Sequence, residues 1–272
     1  AALHGRGAET AAAVCAGIIL TGSQTHTMLK PISRLRQRLA SHHHRTLLRQ
    51  SGGAEIVRAV KAARLTYLSE AKLAGLCSTL ARLKREDVAG ELIEAGCALG
   101  GSSIVIAALR PESTAFRIHD VFGMIPPPTG EDPPEVAERY QTILAGKSKG
   151  IDGDAYYGYV ADLETVVWEN LARYLTEGQR RNVHMVKGLL QHTLTVTGPV
   201  AFAHIDVDWY DPVKVSLERI APHLAPGGAI VLDDYFDWGG CRKAVDEYLA
   251  KAPLPLLREE RFGNLILTRA RT

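Results

Sequence analysis

Two acidic clusters follow two apolar stretches in the second half of the chain. The apolar run Val200–Ile205 leads into an Asp-Val-Asp motif at 206–208, and a second run at 229–232 leads into an Asp-Asp pair at 233–234. Between them, apolar residues recur at helical spacing from 212 to 224. This order predicts a strand, a crossover helix and a second strand, and such a unit makes its two strands parallel.

The two acidic clusters should therefore lie at the same edge of a sheet. Four carboxylates would meet there, from Asp206, Asp208, Asp233 and Asp234. Carboxylates gathered so closely repel one another unless a cation or protons compensate them, and their oxygens are the ligands that Mg²⁺ prefers. The sequence favours a divalent metal site; the simpler alternative is that these residues only close a strand and cap a helix. Pro-Gly-Gly at 226–228 predicts a turn between helix and strand.

A Gly-rich segment earlier in the chain indicates a second kind of site. Glu94 lies in a short predicted strand, Gly96 opens a Gly-rich turn, and a helix is predicted to begin near Ser102. Such a turn lets a ligand approach the backbone and the free N–H groups of the helix. Asp120 ends the next predicted strand, where an acid can accept hydrogen bonds from ribose hydroxyls. The Gly-rich turn and Asp120 together favour a nucleotide-like cofactor. The alternative is that the glycines only form a tight turn and that Asp120 caps the turn that follows it.

Three further features are candidates for the site. Tyr67 interrupts an apolar helical stripe with a hydroxyl and faces either solvent or a ligand. His192 is a candidate base or hydrogen bonder, with a surface position as the alternative. Residues 124–159 form a long Pro- and Tyr-containing insertion, which predicts either a substrate lid or surface decoration.

Composition limits the class of protein. The chain has 272 residues, of which 46% are hydrophobic, so it can bury one full-sized core with an appendage. Its net charge of +2 is too small to indicate nucleic acid as a partner. The four cysteines follow no zinc or disulfide spacing, which favours a reducing, cytoplasmic setting. The apolar run at 11–20 is too short to cross a bilayer, so no membrane association is expected.

The first 54 residues differ from the rest. No acidic residue occurs between Glu9 and Glu55, whereas basic residues accumulate around a His triplet at 42–44. We expect a basic N-terminal extension at 1–54 and one folded domain at 55–272. The extension could pack on the core, mediate a homodimer contact, bind an anionic partner or hold a metal through the triplet.

Several ordered motifs together resemble the macrocin O-methyltransferase (TylF-type) family. They are Glu94-Ala-Gly96 with Gly100-Gly-Ser-Ser103, Asp120-Val-Phe-Gly123, His204 to Tyr210, Pro226-Gly-Gly228, Asp233-Asp-Tyr235 and Cys241 to Asp246. The resemblance implies an α/β, Rossmann-like class I methyltransferase fold: a mostly parallel seven-stranded sheet with helices on both faces and a C-terminal antiparallel hairpin. It also implies an enzyme that uses S-adenosylmethionine and Mg²⁺ to methylate a hydroxyl, commonly on a sugar.

The resemblance also assigns roles to positions. Glu94, Gly96, Ser102, Tyr67 and Asp206 would lie along the cofactor, and Asp120 would hold its ribose. Asp206, Asp233 and Asp234 would bind the metal. Asp206 and Asp208 are both candidates for the base that takes the hydroxyl proton, and His192 is a further catalytic candidate. The chain departs from the family pattern at His192, where an acid is frequent, and at Trp209, where Leu is common.

Two rival functions fit part of the pattern. A metal-dependent glycosyltransferase also uses an Asp-x-Asp motif, to bind a nucleotide sugar, but it does not explain the Gly-rich turn after Glu94 or the second acidic pair. A nucleotide-binding regulatory module would use the basic extension to bind an anionic partner. For the methyltransferase, the expected partner is a small-molecule or saccharide substrate.

Overall fold

A seven-stranded sheet forms the centre of the computed structural model, which describes residues 42–252 and 254–271. Its strands are β1 (Glu91–Ala95), β2 (Phe116–Asp120), β3 (Val183–Lys187), β4 (Val200–Ile205), β5 (Leu224–Leu232), β6 (Leu256–Arg261) and β7 (Asn264–Arg269). They lie in the order β3-β2-β1-β4-β5-β7-β6. Strands β1 to β5 pair in parallel, and β7 pairs antiparallel with both β5 and β6. The mostly parallel sheet and the C-terminal hairpin are thus confirmed.

Helices cover both faces of this sheet, as expected. Residues 42–50 are helical. The helices that follow are α1 (Ala54–Ala62), α2 (Glu70–Arg85), α3 (Gly101–Leu109), α4 (Pro134–Leu144), α5 (Leu163–Tyr174), α6 (Glu177–Arg180), α7 (Leu190–Thr193), α8 (Tyr210–Ile220) and α9 (Gly239–Lys251). One apolar cluster packs α1, α2, α3 and α5 against the sheet, and a second packs α7, α8 and α9 against it.

The strand order creates a switch point between β1 and β4. From β1 the chain proceeds to β2 and β3 on one side, and then crosses to β4 and β5 on the other. At such a point the connections leave the sheet in opposite directions, which opens a crevice at the carboxyl ends of the strands. The Gly-rich turn follows β1 and the Asp-x-Asp motif follows β4, so both predicted motifs lie at this crevice.

The prediction of a turn at Pro-Gly-Gly was wrong. Helix α8 ends at Ile220, a 3-10 turn covers Ala221–His223, and β5 already begins at Leu224. The segment at 226–228 therefore lies inside β5, where the register with β4 shifts between Leu224 and Ala229. This irregular part of the strand is a bulge that contains Gly227, whose φ is +80°. Gly and Pro residues occur in both bulges and turns, so the local sequence does not distinguish the two.

The insertion at 124–159 is folded against the sheet edge. It contains α4 and two 3-10 turns, Ile151–Gly153 and Tyr157–Tyr159. Apolar residues of the insertion pack around the buried Trp209, whose Nε1 donates a hydrogen bond to the carbonyl oxygen of Pro126 at 3.0 Å. Nearby, the backbone N–H of Tyr210 donates to Asp132 Oδ1 at 2.8 Å. We call residues 124–159 the lid segment.

Part of the expected extension packs with the folded core. Leu48 is only 4% exposed and belongs to the same apolar cluster as α1 and α2. The rings of His43 and His44 contact Phe262 on the C-terminal hairpin. The apolar run at 11–20 lies outside the described residues. Within 42–252 and 254–271, no helix is both long and apolar enough to cross a membrane.

Candidate active site

Three of the four aspartates that the motif spacing predicted to meet converge at the crevice. One carboxylate oxygen from each of Asp206, Asp233 and Asp234 lies within 4.8 Å of the others. The backbone holds these residues in place, because the N–H of Asp206 donates to the Ala95 carbonyl at 2.9 Å and that of Asp233 donates to the Ile205 carbonyl at 3.1 Å. The sheet ladder thus continues one residue past each strand, and we call these three residues the carboxylate triad.

Asp208 lies beside the triad in a strained turn. Its φ is +56°, and its N–H donates to Asp234 Oδ2 at 3.0 Å. Burial, with the nearby charge of Asp233, raises the pKa of Asp208 to about 6. Burial and mutual repulsion likewise raise the pKa values of Asp206 and Asp234 well above the ordinary range. Such a cluster is costly to ionise without a positive charge nearby.

The triad has the chemistry expected of a divalent cation site. All its candidate ligands are carboxylate oxygens, which suit hard cations such as Mg²⁺. Asp233 Oδ1 is buried and has no hydrogen-bond partner among the described residues, so it can act as a ligand. A bound cation would also offset the repulsion that raises the pKa values of the other two carboxylates. The residues present therefore fit the group that the motifs imply.

Lys72 is a site residue that the sequence analysis missed. Its Nζ lies 2.9 Å from Asp233 Oδ2 and 2.6 Å from Asp237 Oδ2. Burial by itself lowers the pKa of Lys72, but the two carboxylates outweigh that effect and raise it above its ordinary value. Lys72 belongs to α2 and is 161 positions from Asp233 in sequence. No local pattern indicates that contact.

The Gly-rich turn brings the end of β1 close to the triad. Gly96 has a φ of +84°, and a Cβ atom there would lie 1.9 Å from the Asp206 carbonyl oxygen. Only glycine fits this position without moving the backbone. Gly100 then caps α3 in a left-handed conformation, and Ser102 in the first turn of α3 lines the crevice.

Glu94 lies beneath this turn and not in the crevice. It is fully buried, accepts a hydrogen bond from Ser103 Oγ and lies 2.9 Å from His204 Nδ1. These contacts join β1 to α3 and β4. Glu94 thus supports the turn from below, and its carboxylate is not among the lining residues of the clefts described next.

Asp120 occupies the expected place at the end of β2 and also caps the turn. Its Oδ2 accepts a hydrogen bond from the Cys97 N–H and its Oδ1 accepts one from the Phe122 N–H, both at 2.7 Å. Burial raises its pKa, and these hydrogen bonds partly offset that effect. Each oxygen keeps a further acceptor position, so capping does not prevent Asp120 from binding a hydroxyl.

Two adjoining clefts open at this edge. Residues that line both include Gly96, Asp120, Asp206, Asp208 and Trp209. The smaller, with a volume of about 120 Å³, lies between the loop after β2 and α7. The larger, of about 390 Å³, contains the triad and is walled by side chains of the lid segment.

The structure places the two remaining candidates differently. Tyr67 lines the larger cleft, where its ring lies 5.9 Å from that of Tyr157 in the lid segment. Arg139 of α4 lines the same cleft and was not predicted. His192 is exposed on α7 and lines neither cleft, so the structure does not bring it to the other candidates.

A family model described as Macrocin-O-methyltransferase (TylF) matches residues 22–256 of the chain. The chain belongs to this methyltransferase family. One relative is 8-demethyl-8-(2,3-dimethoxy-alpha-L-rhamnosyl)-tetracenomycin-C 4'-O-methyltransferase from Streptomyces olivaceus, 32% identical over 170 residues, which are 60% of this chain and 59% of the relative. Another is demethyldecarbamoylnovobiocin O-methyltransferase from Streptomyces niveus, 29% identical over 175 residues, 61% of this chain and 60% of the relative. The chain thus spans about three fifths of the curated relatives it matches.

Solved structures show the same fold. The O-methyltransferase NovP superposes with a TM-score of 0.59 at 22% identity, over 76% of this chain and 83% of that one. The calicheamicin methyltransferase CalS11 superposes with a TM-score of 0.53 at 18% identity, over 97% and 99%. The expected class I methyltransferase fold is therefore confirmed for this TylF family member.

Proposed function

We propose that the chain is an S-adenosylmethionine-dependent O-methyltransferase that requires a divalent cation, Mg²⁺, and methylates a hydroxyl group of a sugar. The observation that carries the proposal is the position of the carboxylate triad, beside the Gly-rich turn at the switch point of a methyltransferase-family fold. The carboxylates of the triad supply ligands for a cation, and the Gly-rich turn supplies a place for the cofactor. Neither the glycosyltransferase nor the regulatory module accounts for both.

Cofactor binding is assigned to residues around the β1 turn. Asp120 would accept hydrogen bonds from the ribose hydroxyls, using the acceptor positions that Cys97 and Phe122 leave free. Ser102 and the first turn of α3 would face the polar amino-acid end of the molecule in the larger cleft. Glu94 would act indirectly by holding the turn in shape.

Cation binding is assigned to Asp206, Asp233 and Asp234. S-adenosylmethionine supplies an electrophilic methyl group, and the cation supplies positive charge that makes a nearby hydroxyl more acidic. Asp233 can present Oδ1 to the cation while Lys72 holds Oδ2. Lys72 thereby fixes the orientation of this carboxylate.

Asp208 is the better of the two candidates for the base. Asp206 belongs to the triad, whereas Asp208 lines the same cleft outside it. A carboxylate that does not hold the cation keeps its oxygens free to take a proton. Asp208 would therefore accept the hydroxyl proton as the methyl group is transferred, and Trp209 and the lid segment would exclude water.

A sugar is the proposed acceptor on two grounds. The name of the Streptomyces olivaceus relative describes a rhamnosyl-bearing substrate. In this chain, Tyr67, Tyr156 and Tyr157 lie together at the larger cleft and combine apolar ring faces with hydroxyl groups, a surface suited to a sugar ring.

The basic extension at 1–54 is retained as a proposed homodimer contact, which light scattering would test.

Titration calorimetry with S-adenosylhomocysteine and UDP-sugars, with and without Mg²⁺, tests the proposal. We expect S-adenosylhomocysteine to bind. In a separate activity assay, the protein should methylate members of a rhamnoside panel, and this activity should stop when the cation is chelated. Metal-dependent binding of a UDP-sugar without any response to S-adenosylhomocysteine would instead establish glycosyl transfer. Undiminished turnover under chelation would remove the cation from the proposal.

Two matched variants test the triad. Asp233→Asn should lose at least about 100-fold in turnover while S-adenosylhomocysteine still binds, because a ligand of the cation is removed. Asp237→Asn is the control, since Asp237 also contacts Lys72 but lies outside the triad. It should keep most activity. Equal losses in both variants would point to Lys72 as the essential group and contradict the assignment of Asp233.

A further inference from the structure

Arg139 is a cation on the inward side of α4 in the lid segment. Val136 and Ile143 of this helix are buried, whereas Glu135 and Glu138 are exposed. Arg139 follows Val136 by three positions and precedes Ile143 by four, so these three side chains share one helical face. Arg139 is half-buried and lines the larger cleft together with Ile143. Its charge is therefore directed into the site and not into bulk solvent.

The contacts of Arg139 hold its guanidinium at the cleft without using its hydrogen-bond donors. Its Cζ lies 5.8 Å from the centroid of the Tyr156 ring, in a cation–π contact, and Tyr156 lines the same cleft. Within residues 42–252 and 254–271, no hydrogen bond or ion pair engages its N–H groups. A guanidinium has several such donors in one plane, and contact with a ring face leaves them free.

Lys72 is the other positively charged side chain among the described residues that line the larger cleft. Its Nζ contacts both Asp233 and Asp237, so its charge is compensated within the protein. Arg139 has no such carboxylate partner in the described part of the chain. Its parallel N–H donors match the paired oxygens of a carboxylate or phosphate group. The contrast with Lys72 indicates that the partner of Arg139 is brought by a ligand.

That ligand is the acceptor, because the other proposed ligands have their own residues. The cofactor is assigned to the β1 turn and the cation to the triad, whereas Arg139 lies on the lid wall with Tyr156 and Tyr157, which were assigned to the sugar. A neutral hydroxyl would leave the charge of Arg139 uncompensated. An anionic group would compensate it, and a fixed cation would offset the repulsion between that group and the aspartates of the cleft.

We propose that Arg139 binds a carboxylate or phosphate group carried by the sugar acceptor, so that the preferred substrates are acidic saccharides. This inference rests on the proposed function and narrows its acceptor class. Arg139 determines which acceptor is bound and positions it under the lid segment. It takes no part in methyl transfer.

Calorimetry on the protein saturated with S-adenosylhomocysteine and Mg²⁺ tests the contact. The probes are methyl glucuronide, glucose 1-phosphate and the neutral methyl glucoside, so that the first two distinguish a carboxylate from a phosphate. At least one anionic probe should bind wild-type protein about 10-fold more tightly than the glucoside, as expected for charge-assisted hydrogen bonds. Arg139→Gln should abolish this preference. Arg173→Gln is the control, because Arg173 is exposed on α5 and lines neither cleft; it should keep the full preference.

A second variant covers the case in which Arg139→Gln does not fold. Arg139→Lys keeps a positive charge but loses the paired donors, so it should reduce the preference severalfold. An unchanged preference in either variant would overturn the proposal, because the anion would then bind elsewhere, for example at the cation. Weaker binding of S-adenosylhomocysteine in Arg139→Gln would also overturn it, by assigning Arg139 to the cofactor.

The wild-type protein separates this inference from the proposed function. Binding of S-adenosylhomocysteine without any preference for an anionic probe refutes the acidic acceptor alone. Absence of S-adenosylhomocysteine binding refutes the proposed function instead.

Discussion

Gly96 shows how one residue couples two parts of the site. Its backbone passes so close to the Asp206 carbonyl that the Gly-rich turn and the acidic edge fix each other's position. The interpretation of Gly96 from sequence concerned close approach of a ligand. The structure adds that the approach of β4 already demands a glycine there.

Substitution of Gly96 should therefore destabilise the fold strongly. Gly96→Ala combines a left-handed φ with a steric clash, and we expect a loss of at least about 3 kcal/mol in the free energy of unfolding. Gly153→Ala is a matched control, because Gly153 has a φ of +88° but a Cβ atom there would meet no described atom within 4 Å. It should lose only about 1 to 2 kcal/mol. Urea denaturation measures both, and similar losses would contradict the role of the clash.

His119 should give the unfolding free energy a recognisable pH dependence. Burial, with the nearby charge of Arg117, lowers the pKa of His119 in the folded state to about 4, below the ordinary value of 6.5, so the unfolded chain binds more protons between these values. Stability contributed by the neutral ring is therefore complete above about pH 6.5 and falls as the pH drops towards 4. His119→Gln should show a shallower decline over this window in chemical denaturation. The exposed His192→Gln should follow the wild-type curve, and a parallel decline in all three proteins would exclude His119 as its source.

At the scale of elements, the lid segment is attached to the sheet edge through Asp132. Its carboxylate accepts hydrogen bonds from the N–H of Tyr210, at the start of α8, and from the N–H of Thr129. The neighbouring Glu131 instead pairs with Lys243 at an exposed position. Exposed ion pairs contribute little, whereas a carboxylate at a helix N-terminus satisfies backbone donors that otherwise lack partners.

Removal of Asp132 should loosen the lid segment selectively. In Asp132→Ala we expect faster hydrogen–deuterium exchange across residues 124–144 and weaker binding of the sugar acceptor, because α4 helps to wall the larger cleft. Glu131→Ala is the control and should exchange like wild type. If Asp132→Ala also exchanges like wild type, apolar packing around Trp209 is sufficient to hold the segment.

The elements that sequence predicted well are those whose own residues carry the signal. Strand β4 is an apolar run followed by an acid and has the predicted bounds, and β2 ends at Asp120 as predicted. Contacts across the chain carry no such signal, which is why Lys72 was missed. At 226–228, pairing of the flanking residues Leu224 and Ala229 with β4 keeps an irregular segment inside the strand. The resemblance placed Glu94 along the cofactor, whereas its burial is visible only once α3 and β4 pack around it.

At the scale of the whole molecule, the cation should be a stabilising ligand. A ligand that binds only the folded state raises the unfolding free energy by about 2.7 kcal/mol at a concentration 100 times its Kd. Mg²⁺ or Mn²⁺ should therefore raise the Tm of the wild-type protein, and Asp233→Asn should lose this response. Ca²⁺ is a useful comparison because it prefers more ligands. A Tm in the wild type that does not change with added divalent ions would contradict the site.

The register shift in β5 has a consequence for chain length. Between the paired positions Val200–Leu224 and Phe202–Ala229, β4 advances by two residues while β5 advances by five. Regular pairing resumes before the strand reaches Asp233. Insertions or deletions near 224–228 can thus be absorbed ahead of the acidic edge, without moving Asp233 relative to Asp206. The acidic edge of the sheet is thereby separated from length changes at the opposite end of β5.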